Sequence, residues 1–185
     1  MAIHTELKYA SIDELSLDPN NPRLGAETIK LQLDQPALLD KMRDQELEEL
    51  ATSFAESGYW PQEALLVVRE RLYGKPALVV VEGNRRLAAL RYLRLAFDGK
   101  PITSSWQELI ADKKKPKAEL FNRVPYLVAD DRTEINSYLG FRHVSGIKEW
   151  PPREKAAFIS KMIDEEKLTY EQVMRRIGSR VEPVR

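Results

Sequence analysis

The chain has 185 residues, of which 43% are hydrophobic, and this is enough for one sizeable core with a small appended module. Its 29 basic and 29 acidic side chains cancel, so a binding site for an anion has to be local rather than a property of the whole surface. The lack of cysteine excludes disulfides and thiolate metal sites, and two histidines are too few for a multi-histidine metal centre.

No apolar run in the sequence approaches the ~20 residues that a membrane-spanning helix needs. The first nine residues lack both the basic segment and the apolar core of a secretory signal peptide. We therefore expect a cytoplasmic protein without a membrane partner, and no metal site built from protein ligands alone.

The first third of the chain predicts one strand, a loop and a broken helix. Residues 9–17 partly alternate between apolar and polar side chains, as in a short strand with its turn. Residues 18–25 are dense in turn-forming residues and predict a loop. Residues 36–57 have a helical pattern with a break near Arg43, and Gly58 is placed to end the helix.

The middle of the chain predicts a hairpin, a helix and another strand. Residues 64–69 and 77–81 are short apolar runs flanked by proline and glycine, which is typical of buried strands, and an antiparallel hairpin is the simplest way to join them. Asn84 is a good N-cap for a helix that runs to about residue 97. A short helix begins near residue 104, and residues 124–129 form a third strand candidate.

After residue 130 the pattern is helical only. Candidate helices cover residues 131–143, a segment that begins at residue 151, and residues 170–177, for which Thr169 is the predicted cap. We therefore predict an α+β fold, in which a small mixed sheet with packed helices occupies residues 1–130 and a helical extension occupies residues 131–185.

The clearest functional signal is the start of the helix that follows residues 77–81. Arg85 and Arg86 lie at a helix N-terminus, where each cation is unfavourable by roughly 0.3–1 kcal/mol. Gly83 would let the backbone approach an anion closely, and two guanidinium groups match phosphate oxygens. A bound phosphate would offset the misplaced charges. Alternatively, the arginines pair with Glu82 or extend into solvent.

Several segments, taken in order, resemble the N-terminal domain of the ParB family, within the wider ParB/sulfiredoxin fold. The resemblance covers roughly residues 9–160. It rests on Asn-Pro-Arg at residues 21–23, a helix at 46–58 followed by Tyr-Trp-Pro, the strand at 64–68, Glu-Gly-Asn-Arg-Arg at 82–86 and Val-Pro-Tyr-Leu-Val-Ala-Asp-Asp at 124–131.

The resemblance implies a nucleotide-binding domain of a DNA-associated protein, with a nucleoside triphosphate (CTP or ATP) and Mg²⁺ as cofactors. Binding of the nucleotide would switch the conformation of the protein. The resemblance also implies a possible homodimer. The phosphates would rest on a Gly-x-Arg-Arg helix start formed by Gly83, Asn84, Arg85 and Arg86. Arg23 would approach the same site.

The sequence departs from the family pattern at two points. Asn84 replaces a glutamate of the helix start, and the acidic residue of a later motif is missing, with His143 near its place. This argues against hydrolysis by the mechanism of the partition proteins. Arg142 and His143 fall where ParB-like proteins approach the triphosphate, and a helix-end histidine bonded to backbone is the alternative. We expect Trp60 to be a packing residue rather than a base-stacking platform, and the alternative is that it covers the edge of a nucleobase.

The C-terminal residues 168–180 resemble the first helix and turn of a helix-turn-helix module that ends incomplete. DNA is therefore an expected partner. The candidate contacts with its phosphates are Arg175, Arg176 and Arg180, whose alternative role is a solvated helix face.

Two other functions remain open at this point. The first is an enzyme on the same fold, which would be an NTPase, a phosphotransferase or a DNA nuclease. Its catalytic base would be Glu82, His143 or one of Asp130 and Asp131. The two aspartates could also hold magnesium unless they cap the following helix. The second is a protein-interaction domain whose arginines face an acidic partner.

Overall fold

The computed structural model of the chain describes residues 4–111, 115–139, 156, 159–160, 163–165 and 167–177. Its centre is a five-stranded mixed sheet, formed by β1 (Lys8–Ala10), β2 (Leu15–Leu17), β3 (Leu65–Leu72), β4 (Lys75–Glu82) and β5 (Val124–Ala129). The strand order in the sheet is β1-β5-β3-β4-β2. The prediction of one strand over residues 9–17 is wrong, because a turn closed by the Glu14 N–H and the Ser11 carbonyl divides it into strands on opposite edges.

The pairing of the strands confirms the predicted hairpin and the mixed sheet. β3 and β4 are antiparallel neighbours in the middle of the sheet. β5 runs parallel to β3, and β2 runs parallel to β4, while β1 is antiparallel to β5. β2 and β4 are parallel, so their carboxyl ends lie at the same end of the sheet. The loop that follows β2 is therefore close to the end of β4.

The helices agree with the α+β prediction, and the expected break near Arg43 is confirmed. Short 3₁₀ helices cover Pro22–Leu24 and Pro61–Glu63. The α-helices are α1 (Ala26–Lys30), α2 (Gln35–Lys41), α3 (Leu47–Ser57), α4 (Asn84–Phe97), α5 (Ser104–Ala111), α6 (Glu119–Asn122), α7 (Arg132–Leu139) and α8 (Tyr170–Ile177).

Both faces of the central strands are buried, which explains why their sequences are continuously apolar. Alternate side chains of a strand point to opposite faces. Leu65, Val67 and Val80 belong to the large core that α3 and α4 cover. Val68 and Val79 belong to a smaller cluster on the other face, which is completed by a fully buried isoleucine of α7, Ile135.

The last described helix, α8, begins as the sequence predicts. The Thr169 hydroxyl accepts a hydrogen bond from the Gln172 N–H at 3.2 Å, and the Gln172 side chain accepts one from the Thr169 N–H at 2.8 Å. This is a reciprocal capping arrangement. Val173 is fully buried, and α8 packs against α3. The division at residue 130 and the helix-turn-helix remain predictions.

Within the part of the chain that is described, no helix has the length and apolar character needed to cross a membrane. The predicted helix that begins at residue 151 is described only at residues 156, 159–160 and 163–165, which are helical, and its other residues lie outside the described part.

Candidate functional site

A sharp glycine bend joins β4 to α4. Gly83 has a φ of 100° and a ψ of 17°, in the left-handed region that L side chains rarely adopt. A Cβ on this residue would lie 2.3 Å from Cδ2 of Leu65 and 2.9 Å from Nη2 of Arg86. Only glycine fits this bend. The bend is tight enough that Gly83 alone separates the end of β4 from the first residue of α4.

Gly83, not Asn84, is the N-cap of α4, so the predicted cap is wrong. The buried Asn84 side chain holds neighbouring segments instead. Its Oδ1 accepts a hydrogen bond from the Asp18 N–H at 2.9 Å, and its Nδ2 donates to the Val80 carbonyl at 2.7 Å. Among the described residues, no side chain caps the N–H groups of the first turn, and these groups carry the partial positive charge of a helix start.

Arg86 is turned inward over the glycine bend. Its side chain is only 10% exposed, and its Nη1 donates to Oε2 of Glu63. Oε1 of Glu82 lies 3.5 Å from Nη2. Among the described residues, Nε and Nη2 have no hydrogen-bond acceptor, although both atoms are buried. A buried donor without an acceptor costs roughly 1–3 kcal/mol, and an anion beside the bend would remove this cost.

Arg85 extends in a different direction from Arg86. Its Nε donates to the Gln45 carbonyl at 2.8 Å, and its Nη2 donates to the Glu46 carbonyl at 3.1 Å. Glu46 precedes α3 and has a left-handed backbone conformation, with a φ of 53°. Arg85 therefore fastens the connection between α2 and α3 to the start of α4, with its side chain still 29% exposed.

The helix start opens into a cavity of about 340 Å³. Arg23, from the loop after β2, is exposed and reaches this cavity; its guanidinium makes no hydrogen bond or ion pair with any described residue. Trp60 is 54% exposed at the same cavity, so the structure does not bury it as a packing residue, and the alternative that it covers a nucleobase stays a prediction. The lining residues that matter here are Asn21, Arg23, Trp60, Glu63, Glu82 and Arg86.

The charges of the cavity favour an anion. Arg23, Arg85 and Arg86 supply three positive charges, and Glu63 and Glu82 supply two negative ones. The helix start adds a partial positive charge at the same place. Since guanidinium groups present planar pairs of donors, the arrangement suits phosphate oxygens better than a diffuse negative surface.

The acidic residues at the end of β5 have local partners. The Asp131 side chain accepts a hydrogen bond from the Thr133 N–H at 2.7 Å, which is the capping role rather than a magnesium site. The Asp130 carboxylate is hydrogen-bonded to His4 Nε2 at 2.8 Å. No group of three or more histidine, aspartate or glutamate side chains that could hold a metal ion occurs among the described residues.

The structure brings most of the predicted site residues together. Arg23, Glu82, Gly83, Asn84, Arg85 and Arg86 line one cavity. The helix α8 carries Arg175 and Arg176, whose side chains lie outside the described part, as do Arg142, His143 and Arg180.

Sequence reasoning missed Glu63 and Asp18. Glu63 is 23 residues from Arg86, and Asp18 is 66 residues from Asn84. A lone glutamate after Trp-Pro and a lone aspartate in a turn-rich loop carry no local signal of a partner. The signal that the sequence did offer lies in Asn84 and Arg86 themselves. Their polar side chains need hydrogen-bond partners, and these partners come from distant parts of the chain.

Comparison with known proteins identifies the fold. The chain matches the C-terminally truncated chromosome-partitioning protein ParB from Caulobacter crescentus complexed with CTP-gamma-S, with a TM-score of 0.60 and 19% identity, over 94% of this chain and 72% of that one. The chain has a ParB-like fold. A second ParB structure from the same organism, complexed to the centromeric parS site, matches with a TM-score of 0.37 and 18% identity over 93% and 65% of the two chains.

The structural comparison agrees with the resemblance drawn from the sequence segments. No protein-family model matches the sequence, and no curated protein matches it either. In this chain the cavity lies where β4 meets α4. Its residues come from the loop after β2, from α3, from the 3₁₀ helix Pro61–Glu63 and from the first turn of α4.

Proposed function

We propose that the cavity binds a nucleoside triphosphate, with its phosphates at the helix start from Gly83 to Arg86. Binding would act as a conformational switch in a DNA-associated protein. The observation that carries the proposal is the Arg86 guanidinium, which is buried at the bend with Nε and Nη2 lacking acceptors among the described residues. Phosphate oxygens are the acceptors that such a fork fits best.

The phosphates would be held by donors of three kinds. The N–H groups of the first turn of α4 have no side-chain cap in the described part of the chain, and the N–H groups of a helix start point toward an incoming anion. Arg86 supplies its two unused nitrogens, and Arg23 supplies an exposed cation from the loop. Arg85 has two of its donors on backbone carbonyls, so its contribution is mainly long-range charge.

Magnesium would accompany the nucleotide. Mg²⁺ is usually held by one or two carboxylates together with phosphate oxygens rather than by a cage of protein ligands. Glu63 and Glu82 are the carboxylates of the cavity, and both now contact Arg86. They fit this role when Arg86 turns to the phosphates. The ion would neutralise phosphate charge at this point.

The ParB neighbour supports the choice of ligand. That protein is complexed with CTP-gamma-S, which makes CTP the first nucleotide to test, with ATP second. The DNA part of the proposal rests on the resemblance of residues 168–180 to a helix-turn-helix start, with Arg175, Arg176 and Arg180 as candidate phosphate contacts.

An enzymatic role on the same fold is the weaker candidate. Glu82 lies next to the bend, but its Oε1 is 3.5 Å from Nη2 of Arg86. A carboxylate paired with a cation in this way is a weaker candidate for a catalytic base. Phosphate release during incubation with each nucleotide and Mg²⁺ separates hydrolysis from binding alone.

Calorimetric titration with CTP, ATP, GTP and UTP, each with Mg²⁺, tests the proposal. We expect at least one nucleotide to bind. Arg86→Ala should weaken this binding roughly 10- to 100-fold, because a charge-assisted hydrogen-bond pair is worth about 1.5–3 kcal/mol. Arg85→Ala should weaken it less, since part of its guanidinium is committed to the Gln45 and Glu46 carbonyls.

Arg69→Ala is the matched control for the arginine variants. Arg69 is an exposed arginine of β3 outside the cavity, so its loss should leave the affinity unchanged. If none of the four nucleotides binds to the unaltered protein, with or without DNA, the proposal is wrong and a protein-interaction domain is the better description.

A further inference from the structure

Asp18 lies at the centre of a hydrogen-bonded network that reaches from the cavity to the opposite face of the sheet. Its side chain is 1% exposed. A carboxylate so deeply buried requires a paired charge, because an isolated buried charge is strongly unfavourable. Arg132 supplies that charge through a two-point pair, with Nη1 at 2.7 Å from Oδ2 and Nη2 at 2.9 Å from Oδ1.

Asp18 is bonded directly to the helix start. Its backbone N–H donates to Oδ1 of Asn84 at 2.9 Å, and Asn84 is the first residue of α4. The other end of the Asn84 amide donates to the Val80 carbonyl in β4. The position of Asp18 therefore determines how the asparagine, and with it the first turn of α4, is held against the strand.

Asp18 also holds the loop that carries Arg23. Its carbonyl accepts a hydrogen bond from the Asn21 N–H at 3.1 Å, and its carboxylate accepts one from the Asn20 N–H at 2.9 Å. The Asn21 side chain in turn accepts one from the Arg23 N–H at 3.1 Å. Asn21 and Arg23 both line the cavity. The loop and the helix start thus meet at one buried residue.

Arg132 is the first residue of α7, on the other side of this network. Its Nε and Nη2 also bond to the two carboxylate oxygens of Glu70 in β3, at 3.0 and 2.6 Å. The hydrogen bonds with Asp18 and Glu70 raise the pKa of Arg132 above its already high ordinary value, so the residue is always charged. Ile135, one turn further, packs in the cluster that α7 covers.

We infer that Asp18 and Arg132 are positioning residues that couple occupancy of the cavity to the docking of α7. Neither side chain lines the cavity. Arg132 holds Asp18, and Asp18 holds both the helix start, through Asn84, and the loop of Arg23. This inference rests on the proposed function, since it states how a nucleotide at the helix start would change the first helix of the C-terminal region.

Coupling of this kind acts equally in both directions. If docking of α7 raises nucleotide affinity by some factor, nucleotide stabilises the docked α7 by the same factor. The Asp18–Arg132 pair joins residues 114 positions apart in sequence, so it exists only while α7 lies on the sheet. Undocking would leave Asp18 buried without its cation, and the loop and the helix start would loosen together.

Arg132→Gln tests the coupling in two independent measurements. In amide hydrogen exchange of the nucleotide-free protein, we expect faster exchange in α7, in residues 18–23 and in the first turn of α4. Exchange in α2 and α5, which belong to the core on the other face, should stay as in the unaltered protein. In calorimetry we expect nucleotide affinity to fall roughly 5- to 20-fold, in the range of typical coupling free energies.

Three variants serve as controls. Arg94→Gln breaks another two-point arginine–aspartate pair, with Asp13 at 2.6 and 2.7 Å, and should leave the loop, the helix start and the affinity unchanged. Glu70→Gln removes the partner of Arg132 that has no bond to the helix start, so it should lower the affinity less than Arg132→Gln. Arg132→Lys keeps the charge without the two-point geometry and should restore part of the affinity; it also replaces Arg132→Gln if that variant does not fold.

The outcomes separate the two proposals. Faster exchange confined to α7 in Arg132→Gln, with the loop and the helix start unchanged, would overturn the coupling. Equal losses of affinity in Arg94→Gln and Arg132→Gln would overturn it as well. Absence of nucleotide binding by the unaltered protein would overturn the proposed function, while the exchange measurement would still decide whether Asp18 joins α7 to the helix start.

Discussion

Gly83 and Arg86 are in contact at the start of α4, because the arginine folds back over the glycine bend. A Cβ carbon on Gly83 would lie 2.9 Å from Nη2 and 3.1 Å from Nε of Arg86. These are the same two nitrogens that lack an acceptor among the described residues. The absence of a side chain on Gly83 therefore lets the guanidinium lie inward, with these two nitrogens buried against the bend.

Gly83→Ala should destabilise the fold by about 2–4 kcal/mol. The backbone conformation at a φ of 100° is strained for alanine, and the new methyl group would lie 2.3 Å from Leu65 Cδ2 in the core. Urea unfolding of the variant measures the loss. Gly99→Ala is the matched control at the other end of α4, with a φ of 67° and no atom within 4 Å of the new methyl group. Equal losses for the two variants would contradict a steric role of the Gly83 bend.

Glu63→Gln should tighten nucleotide binding roughly threefold to tenfold when Mg²⁺ is removed with EDTA. Glu63 pairs with Arg86 and would compete with phosphate for it, but its side chain is 49% exposed, so solvent screens the effect. With Mg²⁺ present the gain should shrink or reverse, because the carboxylate is then expected to help hold the ion.

The matched control for this prediction is Glu56→Gln. Glu56 is an exposed glutamate near the end of α3 that does not line the cavity. The nucleotide affinities of this variant, with Mg²⁺ and in EDTA, should both equal those of the unaltered protein. Weaker binding of Glu63→Gln in EDTA would mean that Glu63 supports the site through Arg86 rather than competing for it.

Trp60→Ala should weaken binding of all four nucleotides roughly 5- to 100-fold, while binding of inorganic triphosphate stays unchanged. The indole is 54% exposed beside the cavity, where it can stack on any base, and removal of a base-stacking aromatic costs about 1–3 kcal/mol. Trp60→Phe should retain most of the affinity. Equal weakening of nucleotide and inorganic triphosphate would exclude stacking on the base.

Trp106→Ala provides the contrast between an exposed and a buried tryptophan. Trp106 is 2% exposed and packs on Tyr92, with ring centroids 5.4 Å apart. Its truncation should cost about 3–5 kcal/mol of folding stability, whereas Trp60→Ala should leave stability nearly unchanged. Thermal unfolding of both variants tests the difference.

The Asp13–Arg94 pair should stabilise the protein only above acid pH. The hydrogen bonds from Arg94 lower the pKa of Asp13 below its usual value of 3.8. A lowered folded-state pKa stabilises the fold above the ordinary aspartate pKa, and this stabilisation is lost as the pH falls through the folded value. The pair is largely exposed, so we expect less than about 1 kcal/mol at pH 7.

Urea unfolding of the unaltered protein and of Arg94→Gln, from pH 7 down to about pH 2.5, measures this contribution. The stability difference between the two proteins should shrink as Asp13 becomes protonated. A difference that stays constant over this range would mean that Arg94 contributes through packing of its side-chain stem rather than through its charge.

Much of the fold could be predicted because its signals are local. The apolar runs at 64–69 and 77–81 predicted the central hairpin, and the break near Arg43 separated α2 from α3. The prediction of one strand over residues 9–17 was wrong because a three-residue edge strand is too short for its sequence pattern to distinguish two strands from one. The cap of α4 was misassigned because Asn84 uses its amide for contacts across the fold.

Local sequence was enough to predict the glycine bend, the two arginines that follow it and the α+β order of elements, since each depends on neighbours a few residues apart. The direction of each arginine side chain depends on contacts distant in sequence: Arg85 bonds to the carbonyls before α3, and Arg86 bonds to Glu63 at the cavity. The tertiary structure also pairs Asp18 with Arg132. Such partners are set by the crossing of strands and helices in space, and a charged side chain is compatible with many partners until packing leaves one within reach.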